Sequence, residues 1–552
     1  MKLPGERFDG WTSIAIALTA GYLLMIIWPL FMVLTDSVQS DGEFTLAGFM
    51  KFFSSRLYYG TLINSMLVTV CVTALALVIA FPLAYFMTMF RIRGNRTVQM
   101  LILASMMSPP FIGAYSWILL LGNNGMITRW IEDIFGIDAP SIYGFPGIVL
   151  VLTLQLVPLI FTYLMGAWRT IDVSLLEAAE SMGVTGWRRA LQVISPLLFP
   201  TILGGSLLVF VRAFADFGTP MLIGQGFRTV PVLIYSSFVG EVSIDKSFAA
   251  AVSVIVIVVT LSVFLVQKYI VNRRQISMTA LRTIEARRLR GWRGLAVHAY
   301  VFGFLTLALA PLIVVVFSSF RNTLYGQFVD GFSLDNYIDS KRDIIRYATN
   351  TFSIGLTALA ILVVIAVLVA YLTVRRRGTL SNTLDTMTMV PYVVPGLVIG
   401  IALVTTFSQG PLVLTGTFAI MVLALTLRRL PYAVRSTTAL MYQISPSIEE
   451  AAISLGASKT RTLLRIIVPA LAPGILAGAV LSWVTIITEL STTLFLYNTS
   501  TQTLSLGIYA EVIRGQLGTA AALSTLLLVL TMASLFLLMR LPGNREGMIQ
   551  QT

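Results

Sequence analysis

Three ionisable residues lie within long apolar runs of this 552-residue sequence. Asp216 is in the stretch FADFGTP, Glu489 is in ITELSTT, and Arg212 lies one helical turn before Asp216. If these runs cross a bilayer, each charge costs about 2.5–3.5 kcal/mol on insertion scales, so it should face a partner or a wet cavity. We therefore hypothesise that Asp216, Glu489 and Arg212 line a translocation pathway, and that the two acids favour a cationic or metal-bearing substrate.

A structural role for the same residues is an open alternative. Arg212 and Asp216 would lie on one helix face, so the two charges can neutralise each other. Glu489 has Thr485 at the equivalent place, and its partner could instead be Arg212 across an interface. The pathway hypothesis is therefore stronger for Glu489.

The remaining reactive side chains offer little chemistry. The chain has one cysteine, Cys71, and one histidine, His298, so neither a disulfide framework nor a Cys/His zinc site can be built. We expect no catalytic residue, no metal site and no cofactor in this chain. A membrane enzyme is an alternative that would need a nucleophile with a base or a metal cluster.

The segments that carry these residues are long and apolar. The chain is 57% hydrophobic and 11% charged, whereas soluble domains carry about 25% charged residues. A helix crosses a bilayer with roughly 20 residues and satisfies its own backbone there. We predict an all-α polytopic membrane protein with about twelve transmembrane helices. The predicted spans are residues 13–35, 61–90, 98–121, 146–168, 197–223, 247–267, 295–320, 348–374, 382–407, 412–430, 470–497 and 518–540.

Basic residues predict the orientation of these spans. The net charge is +13, and the densest basic clusters, around Arg93, around Arg376 and in residues 268–294, fall on one side of the predicted bundle. The positive-inside rule makes that side cytoplasmic, together with both termini and the Arg428–Arg429 pair, which we place at a span end. Contact of this arginine pair with an anionic substrate is the alternative. The first apolar run lacks a clear cleavage site and is read as a retained span. We interpret residues 268–294 as a basic linker beside anionic lipid, with nucleic-acid binding as the remote alternative.

The two halves of the chain repeat. Asn64 and Tyr85 correspond in spacing to Asn350 and Tyr371, and Pro109 corresponds to Pro395. Each half has an even number of predicted spans, so both run in the same direction, and the interface of such repeats is where transporters place their pathway. We predict a first half at 1–267 and a second half at 295–552. The recurring prolines predict kinks in the third and ninth spans.

One polar segment occurs in each half: EAAESMGVTGWRRALQVISP and EAAISLGASKTRTLLRIIVP. Each begins with helix-forming residues, then has a glycine that lets the backbone turn, and ends at a proline suited to the start of a new span. We predict a short helix on the cytoplasmic face that docks a partner, with burial among lipid headgroups as the alternative. The residues expected to carry docking are Glu177, Ala178, Ala179, Gly183, Pro196, Glu450, Ala451, Ala452, Gly456 and Pro469.

These segments resemble the EAA motif of bacterial ABC importer permeases, Glu-Ala-Ala-x3-Gly-x9-Ile-x-Leu-Pro. The second copy matches with Ile466 and has Val468 in place of leucine, whereas the first has Val193 and Ser195 at these places. The resemblance implies a type I permease fold made of two fused six-span halves. It also implies that each segment is a coupling helix seated on a separate ATPase subunit, present in two copies and holding the ATP.

The absence of a Gly-x4-Gly-Lys-Ser/Thr loop in the sequence agrees with a separate ATPase. Family resemblance further implies a periplasmic substrate-binding protein and a bacterial inner-membrane location. The fused layout most resembles ferric-iron permeases, with thiamine, polyamine and aminoethylphosphonate permeases as alternatives. A secondary transporter driven by an ion gradient is a second alternative. It would not explain the two matched segments at residues 177–196 and 450–469, which we call the docking segments.

Overall fold

The computed structural model describes residues 10–40, 42–106, 110–168, 171–239, 245–273, 286–409 and 411–540. Within these ranges the chain is almost wholly helical. Strands form two small antiparallel hairpins, β1 (Gln39–Ser40) with β2 (Glu43–Phe44) and β3 (Arg321–Leu324) with β4 (Gln327–Phe332). This agrees with a bilayer-embedded chain, because helices satisfy their own backbone groups in lipid.

The helices of the two halves follow one another with short connections. The first half contains α1 (Gly10–Tyr22), α2 (Trp28–Ser37), α3 (Ala47–Ser54), α4 (Arg56–Met89), α5 (Asn95–Met106), α6 (Pro110–Leu121), α7 (Met126–Phe135), α8 (Phe145–Trp168), α9 (Val173–Ser181), α10 (Gly186–Arg189), α11 (Ser195–Phe214), α12 (Gly218–Ile223), α13 (Val230–Val239) and α14 (Lys246–Arg273). The second half contains α15 (Trp292–Ser318), α16 (Asp335–Asp339), α17 (Lys341–Arg375), α18 (Thr379–Thr388), α19 (Val390–Val393), α20 (Gly396–Phe407), α21 (Phe418–Gln443), α22 (Pro446–Ser454), α23 (Lys459–Thr462), α24 (Val468–Ile487), α25 (Leu504–Ile513) and α26 (Leu517–Arg540).

Three π-helical segments and one 3₁₀ turn complete the helical structure of the described residues. They are Leu23–Ile27, Ala190–Ile194, Leu463–Ile467 and Thr493–Phe495. Helix α14 continues to Arg273, past the predicted end of the first half at residue 267. Much of the predicted linker, residues 274–285, lies outside the described residues.

Nine helical runs in the described part of the chain are long and apolar enough to cross a membrane, and eleven if each of two bent pairs is one span. One bent pair, Thr379–Val393 with Gly396–Phe407, turns by 109° at the Val394–Pro395 step. Val394 is extended there (φ −78°, ψ 127°), because a residue before proline is driven out of the helical region. The kink predicted at Pro109 lies outside the described residues.

The span predicted at 412–430 needs correction. Its helix, α21, runs from Phe418 to Gln443 and carries Arg428, Arg429 and Arg435, so it is less apolar than the other long helices. It packs between α17 and α24, where its charges can face protein. The placement of Arg428 and Arg429 at a cytoplasmic span end is wrong, because both lie in the middle of α21.

The spans predicted at 197–223 and 470–497 also end earlier than expected. Helix α11 stops at Phe214 and α24 stops at Ile487. The sequence predicted that Asp216 and Glu489 lie inside continuous helices. In the structure, each acid instead lies just beyond the end of a helix. A short helical element follows each acid, so both halves contain the same helix break.

The first helix of each half packs against the opposite half. Trp11 of α1 contacts Tyr371 of α17, with ring centroids 4.7 Å apart, and Tyr22 and Ile26 join the same core cluster. In return, the Tyr300 hydroxyl of α15 donates to the Ile79 carbonyl of α4 at 2.9 Å. The two halves are therefore interlocked rather than placed side by side.

Candidate functional site

A cavity of about 250 Å³ lies between the two halves. The charged side chains among its lining residues are Arg212 and Asp216 from the first half and Arg428, Arg429 and Glu489 from the second. The structure thus brings all three sequence-predicted pathway candidates to one cavity. It adds two arginines that sequence analysis placed elsewhere.

Glu489 is the most heavily engaged of these residues. Its Oε2 accepts from Arg428 Nε at 3.2 Å and from Arg429 Nη2, so two guanidinium groups share one carboxylate oxygen. Its Oε1 accepts from the Thr492 amide at 3.0 Å and from the Thr492 hydroxyl at 2.9 Å. The carboxylate is buried, and these bonds join α21 to the chain that follows α24.

Asp216 repeats part of this arrangement in the first half. Its Oδ2 accepts from the Thr219 amide at 2.9 Å, three residues along the chain, as Glu489 does with Thr492. A carboxylate at this position satisfies a backbone amide that the break in the helix would leave unpaired. The matched acids therefore stabilise the turn after each helix break.

Arg212 contacts neither acid. Among the described residues it forms no ion pair with Asp216 or with Glu489, so both pairings considered from the sequence are absent from this structure. Arg212 instead shares the cavity wall with Tyr432, and the Tyr392 ring packs against Tyr432 with centroids 6.0 Å apart. Arg212 remains solvent-exposed although it sits between helices, since it faces the cavity.

Sequence reasoning missed the tyrosines and the role of the arginine pair. Tyr392 and Tyr432 carry no periodic or motif signal that separates them from other aromatic residues of apolar segments. Arg428 and Arg429 did give a signal, since two adjacent charges stand within a helical apolar run. From the sequence, that signal indicated a span end, with contact to an anionic substrate as the alternative, and not a buried ion pair.

An aromatic cluster lies beyond the helix breaks, where the two halves meet. Phe217 lies 4.9 Å from Tyr235 and 6.0 Å from Tyr509, and Phe495 lies 5.8 Å from Tyr235 and 5.0 Å from Phe238, measured between ring centroids. We call these five residues the aromatic seal. It joins both halves, and it lies at the end of α11 and α24 opposite the docking segments, about 30 Å away by helix length.

Side-chain exposure differs between the two ends of the cavity in the described part of the chain. Along the cavity wall in the second half, Leu481 is 43% exposed, whereas Leu490 beyond the helix break is 5% exposed. On the first half, Tyr163 of α8 is 42% exposed, whereas Phe217 in the seal is fully buried. Among the described residues, side-chain exposure therefore falls from the side of the docking segments toward the aromatic seal.

The two docking segments have the same backbone structure. Helices α9 and α22 each end two residues before the predicted glycine. The φ angles are +79° at Gly183 and +88° at Gly456, a backbone conformation that favours glycine because a Cβ is strained there. The amide after each glycine donates to Ala179 or Ala452, at 2.9 and 3.0 Å. This is the Schellman arrangement, which caps a helix and turns the chain.

The exposed surfaces of α9 and α22 match as well. The second alanine of each motif is buried, whereas the glutamate, first alanine, glycine and proline are exposed. Each helix also presents two large apolar side chains at equivalent places. They are Leu175 and Met182 in α9 and its turn, and Ile448 and Leu455 in α22 and its turn, with Met182 75% and Leu455 88% exposed.

The proline of each segment lies inside a helical run rather than at its start. The chain is helical from Gly186 to Phe214 and from Lys459 to Ile487, and a π-helical turn ends two residues before Pro196 and before Pro469. Widening of the helix at the π turn relieves the clash of the proline ring with the preceding turn. The predicted start of a span at each proline is therefore replaced by a π turn within a continuous helix.

The repeated residues outside the motif anchor these elements. The Tyr371 hydroxyl donates to Glu449 at the base of α22, and Tyr85 packs edge-on against Trp187 at 5.7 Å. Asn64 donates to the Arg228 carbonyl at 2.9 Å, and its counterpart Asn350 makes the equivalent bonds in the second half. The sequence repeat thus marks contacts that hold equivalent segments in place.

Comparison with known proteins agrees with this duplicated architecture. Residues 76–276 and 362–542 each match the family described as the binding-protein-dependent transport system inner membrane component. The chain belongs to this family. The predicted polytopic permease fold and its two permease repeats are thereby confirmed, and the chain is an ABC transporter permease of the inner membrane.

Three relatives illustrate the range of the family. The chain is 25% identical to the ferric transport system permease protein FbpB of Actinobacillus pleuropneumoniae, over 96% of this chain and 78% of that protein. It is 24% identical to the putative ferric transport system permease protein FbpB 1 of Haemophilus influenzae, over 91% and 80%. It is 25% identical to the putative 2-aminoethylphosphonate transport system permease protein PhnU of Salmonella typhimurium, over 45% of this chain and 88% of that protein.

Proposed function

We propose that this permease forms the membrane pathway of an ATP-driven importer for ferric iron. The observation that carries the proposal is the extent of similarity to the two ferric transport permeases, which covers 96% and 91% of this chain, including both halves. The cavity between the halves supplies a route that both repeats line. Asp216, Glu489 and Arg212 belong to the wall of that route in this proposal.

Two docking segments suit two copies of a separate ATPase subunit, which would hold the ATP. Each segment is a rigidly capped helix with exposed apolar side chains, joined directly to a long helix that reaches the cavity. Closure of the ATPase pair would move both helices and open the bundle at the opposite side. In this proposal the docking segments, the basic linker and both termini are cytoplasmic, and a periplasmic binding protein delivers the substrate to the aromatic seal.

A phosphonate importer is the second candidate. It is favoured by the similarity to the 2-aminoethylphosphonate permease, which covers most of that shorter protein, and by the arginines that line the cavity. The 45% coverage of this chain by that similarity, against 96% for the ferric permease, places ferric iron first.

Uptake by cells tests the proposal. Cells with and without this chain, each carrying its ATPase and binding protein, are given radiolabelled ferric iron, 2-aminoethylphosphonate, thiamine or putrescine. We expect ATP-dependent accumulation of ferric iron only in cells with the chain. Accumulation of another solute instead, or uptake that persists without the ATPase, would contradict the ferric importer.

A further inference from the structure

The positive charges that line the cavity outnumber the negative charges. Its lining includes three arginines and two carboxylates, so the wall carries a net charge of at least +1 even with both acids ionised. This is the reverse of what the two acids alone suggested. A surplus guanidinium at membrane depth is costly unless a partner or an anion compensates it.

Glu489 cannot supply the negative charge that the surplus guanidinium group needs. One of its oxygens is shared by Arg428 and Arg429, and the other is taken by Thr492. A single carboxylate thus neutralises one of two adjacent guanidinium groups. Arg428 uses a further donor on the Val394 carbonyl, at 3.4 Å, which adds no charge.

Asp216 does not compensate Arg212. Its Oδ2 accepts from the Thr219 amide, and within the described ranges no cation forms an ion pair with it. Arg212 is exposed and lines the cavity together with Tyr432, so its guanidinium donors are available to the space between the halves. Among the described residues, Arg212 is thus a cation that neither acid of the cavity pairs with, and it is exposed to the space between the halves.

We infer that this cavity contains an oxyanion-binding site centred on Arg212 and Tyr432, with Arg428 and Arg429 behind it. A guanidinium presents a planar fork that matches carboxylate, phosphate and phosphonate oxygens. The two oxygens of such a group can accept from Arg212 and from a tyrosine hydroxyl. The inference rests on the proposed importer function, because it assigns the chemistry that the permease recognises inside the membrane.

The oxyanion can reach the site from two sources. It can be a free solute such as a phosphonate, or it can be a ligand that remains coordinated to ferric iron and makes the complex anionic. Both present the same oxygens to Arg212. A bare cation, in contrast, would be repelled by the surplus positive charge of the wall.

Direct binding to the complete complex tests the inference. The permease with its ATPase subunits is purified in lipid nanodiscs without nucleotide, so that no ATP-driven conformational change occurs. Radiolabelled inorganic phosphate, 2-aminoethylphosphonate and ferric citrate are titrated separately. We expect saturable binding of at least one probe, and Arg212→Gln should weaken it about tenfold or more, the value of a charged hydrogen bond.

Two further variants separate recognition from folding. Arg212→Lys keeps the charge and loses the fork, so its affinity should fall between those of the wild type and Arg212→Gln. Arg435→Gln is the matched control, because Arg435 lies on α21 outside the cavity and pairs with Asp385 at 3.3 Å; it should bind like the wild type. Co-elution of each variant with the ATPase verifies assembly.

The outcomes are distinct. Binding of phosphate or phosphonate alone identifies a free oxyanion, and binding of ferric citrate alone identifies a coordinated one. If no probe saturates, or if Arg212→Gln binds as the wild type does, the inferred site is wrong even when the complex imports iron. If the wild type shows neither uptake nor ATPase stimulation by the binding protein, the proposed function fails and the inference fails with it.

Discussion

At the scale of single residues, Glu489 is the position on which most of the site depends. It holds two arginines of α21 and the turn after α24. Replacing it with glutamine keeps the shape and removes the charge, which leaves both guanidinium groups without a carboxylate. Breaking a buried ion pair in this way costs about 3–5 kcal/mol.

We therefore expect Glu489→Gln to lower the melting temperature of the purified permease and to abolish uptake. Thermal unfolding followed by size-exclusion chromatography measures the first effect, and radiolabel uptake measures the second. The control is Asp385→Asn, which removes the carboxylate partner of the half-exposed Arg435 and should change stability by less than about 1 kcal/mol. Wild-type melting and uptake in Glu489→Gln would contradict the role assigned to this carboxylate.

Sequence reasoning reached part of this residue-scale account. Asp216 and Glu489 were identifiable because a carboxylate in an apolar run is costly unless it has a partner or faces water. The sequence repeat also places the two acids at equivalent positions in the two halves. Their contacts with Thr219 and Thr492 were not predictable, since a hydrophobic pattern does not show where a helix breaks inside the membrane. The pairing of Glu489 with α21 joins distant parts of the chain, and no spacing rule encodes it.

At the scale of elements, the docking segments were the most predictable feature. Glycine and proline impose backbone restrictions that can be stated from the residue types alone, and both glycines adopt the expected turn. The π turns before Pro196 and Pro469 were not foreseen, because the sequence shows the missing amide but not how the helix accommodates it. The exposed Met182 and Leu455 also became visible only when the turns were in place.

These two apolar side chains lead to an element-scale prediction. If the docking segments bind an ATPase, Met182 and Leu455 should insert into apolar pockets of that subunit. The double variant Met182→Asp, Leu455→Asp should lose co-purification of the ATPase while the permease still elutes as a folded monodisperse species.

Phe44→Asp provides the control for this experiment. Phe44 is 77% exposed in β2, remote from α9 and α22, so the same change in chemistry there should leave co-purification intact. Retention of the ATPase by the double variant would show that the apolar surfaces of the docking segments do not carry the interaction.

At the scale of the whole molecule, we expect the aromatic seal to control access to the cavity. Phe495 from the second half contacts Tyr235 and Phe238 from the first, so this closure depends on both halves being together. Sequence analysis predicted a pathway between the halves but not which residues close it. The five aromatic residues are far apart in the chain and share no motif.

We expect Phe495→Ala to open a passage through the bundle. In sealed proteoliposomes without ATP, the variant should release a small trapped dye, whereas the wild type should retain it. The control Phe53→Ala changes a phenylalanine of α3 that is 60% exposed and lies outside the seal, and it should not leak. If proteoliposomes that contain Phe495→Ala retain the dye, other residues close the route.

The exchange of first helices between the halves has a consequence for biosynthesis. Helix α1 leaves the ribosome long before its binding surface on α17 has been made, so it must wait in the bilayer beside lipids or an assembly factor. Helix α1 carries no charged side chain, which suits such a delay. A chain that stalls in the middle of translation would therefore display an unpartnered α1, which gives membrane quality control a simple mark of an unfinished permease.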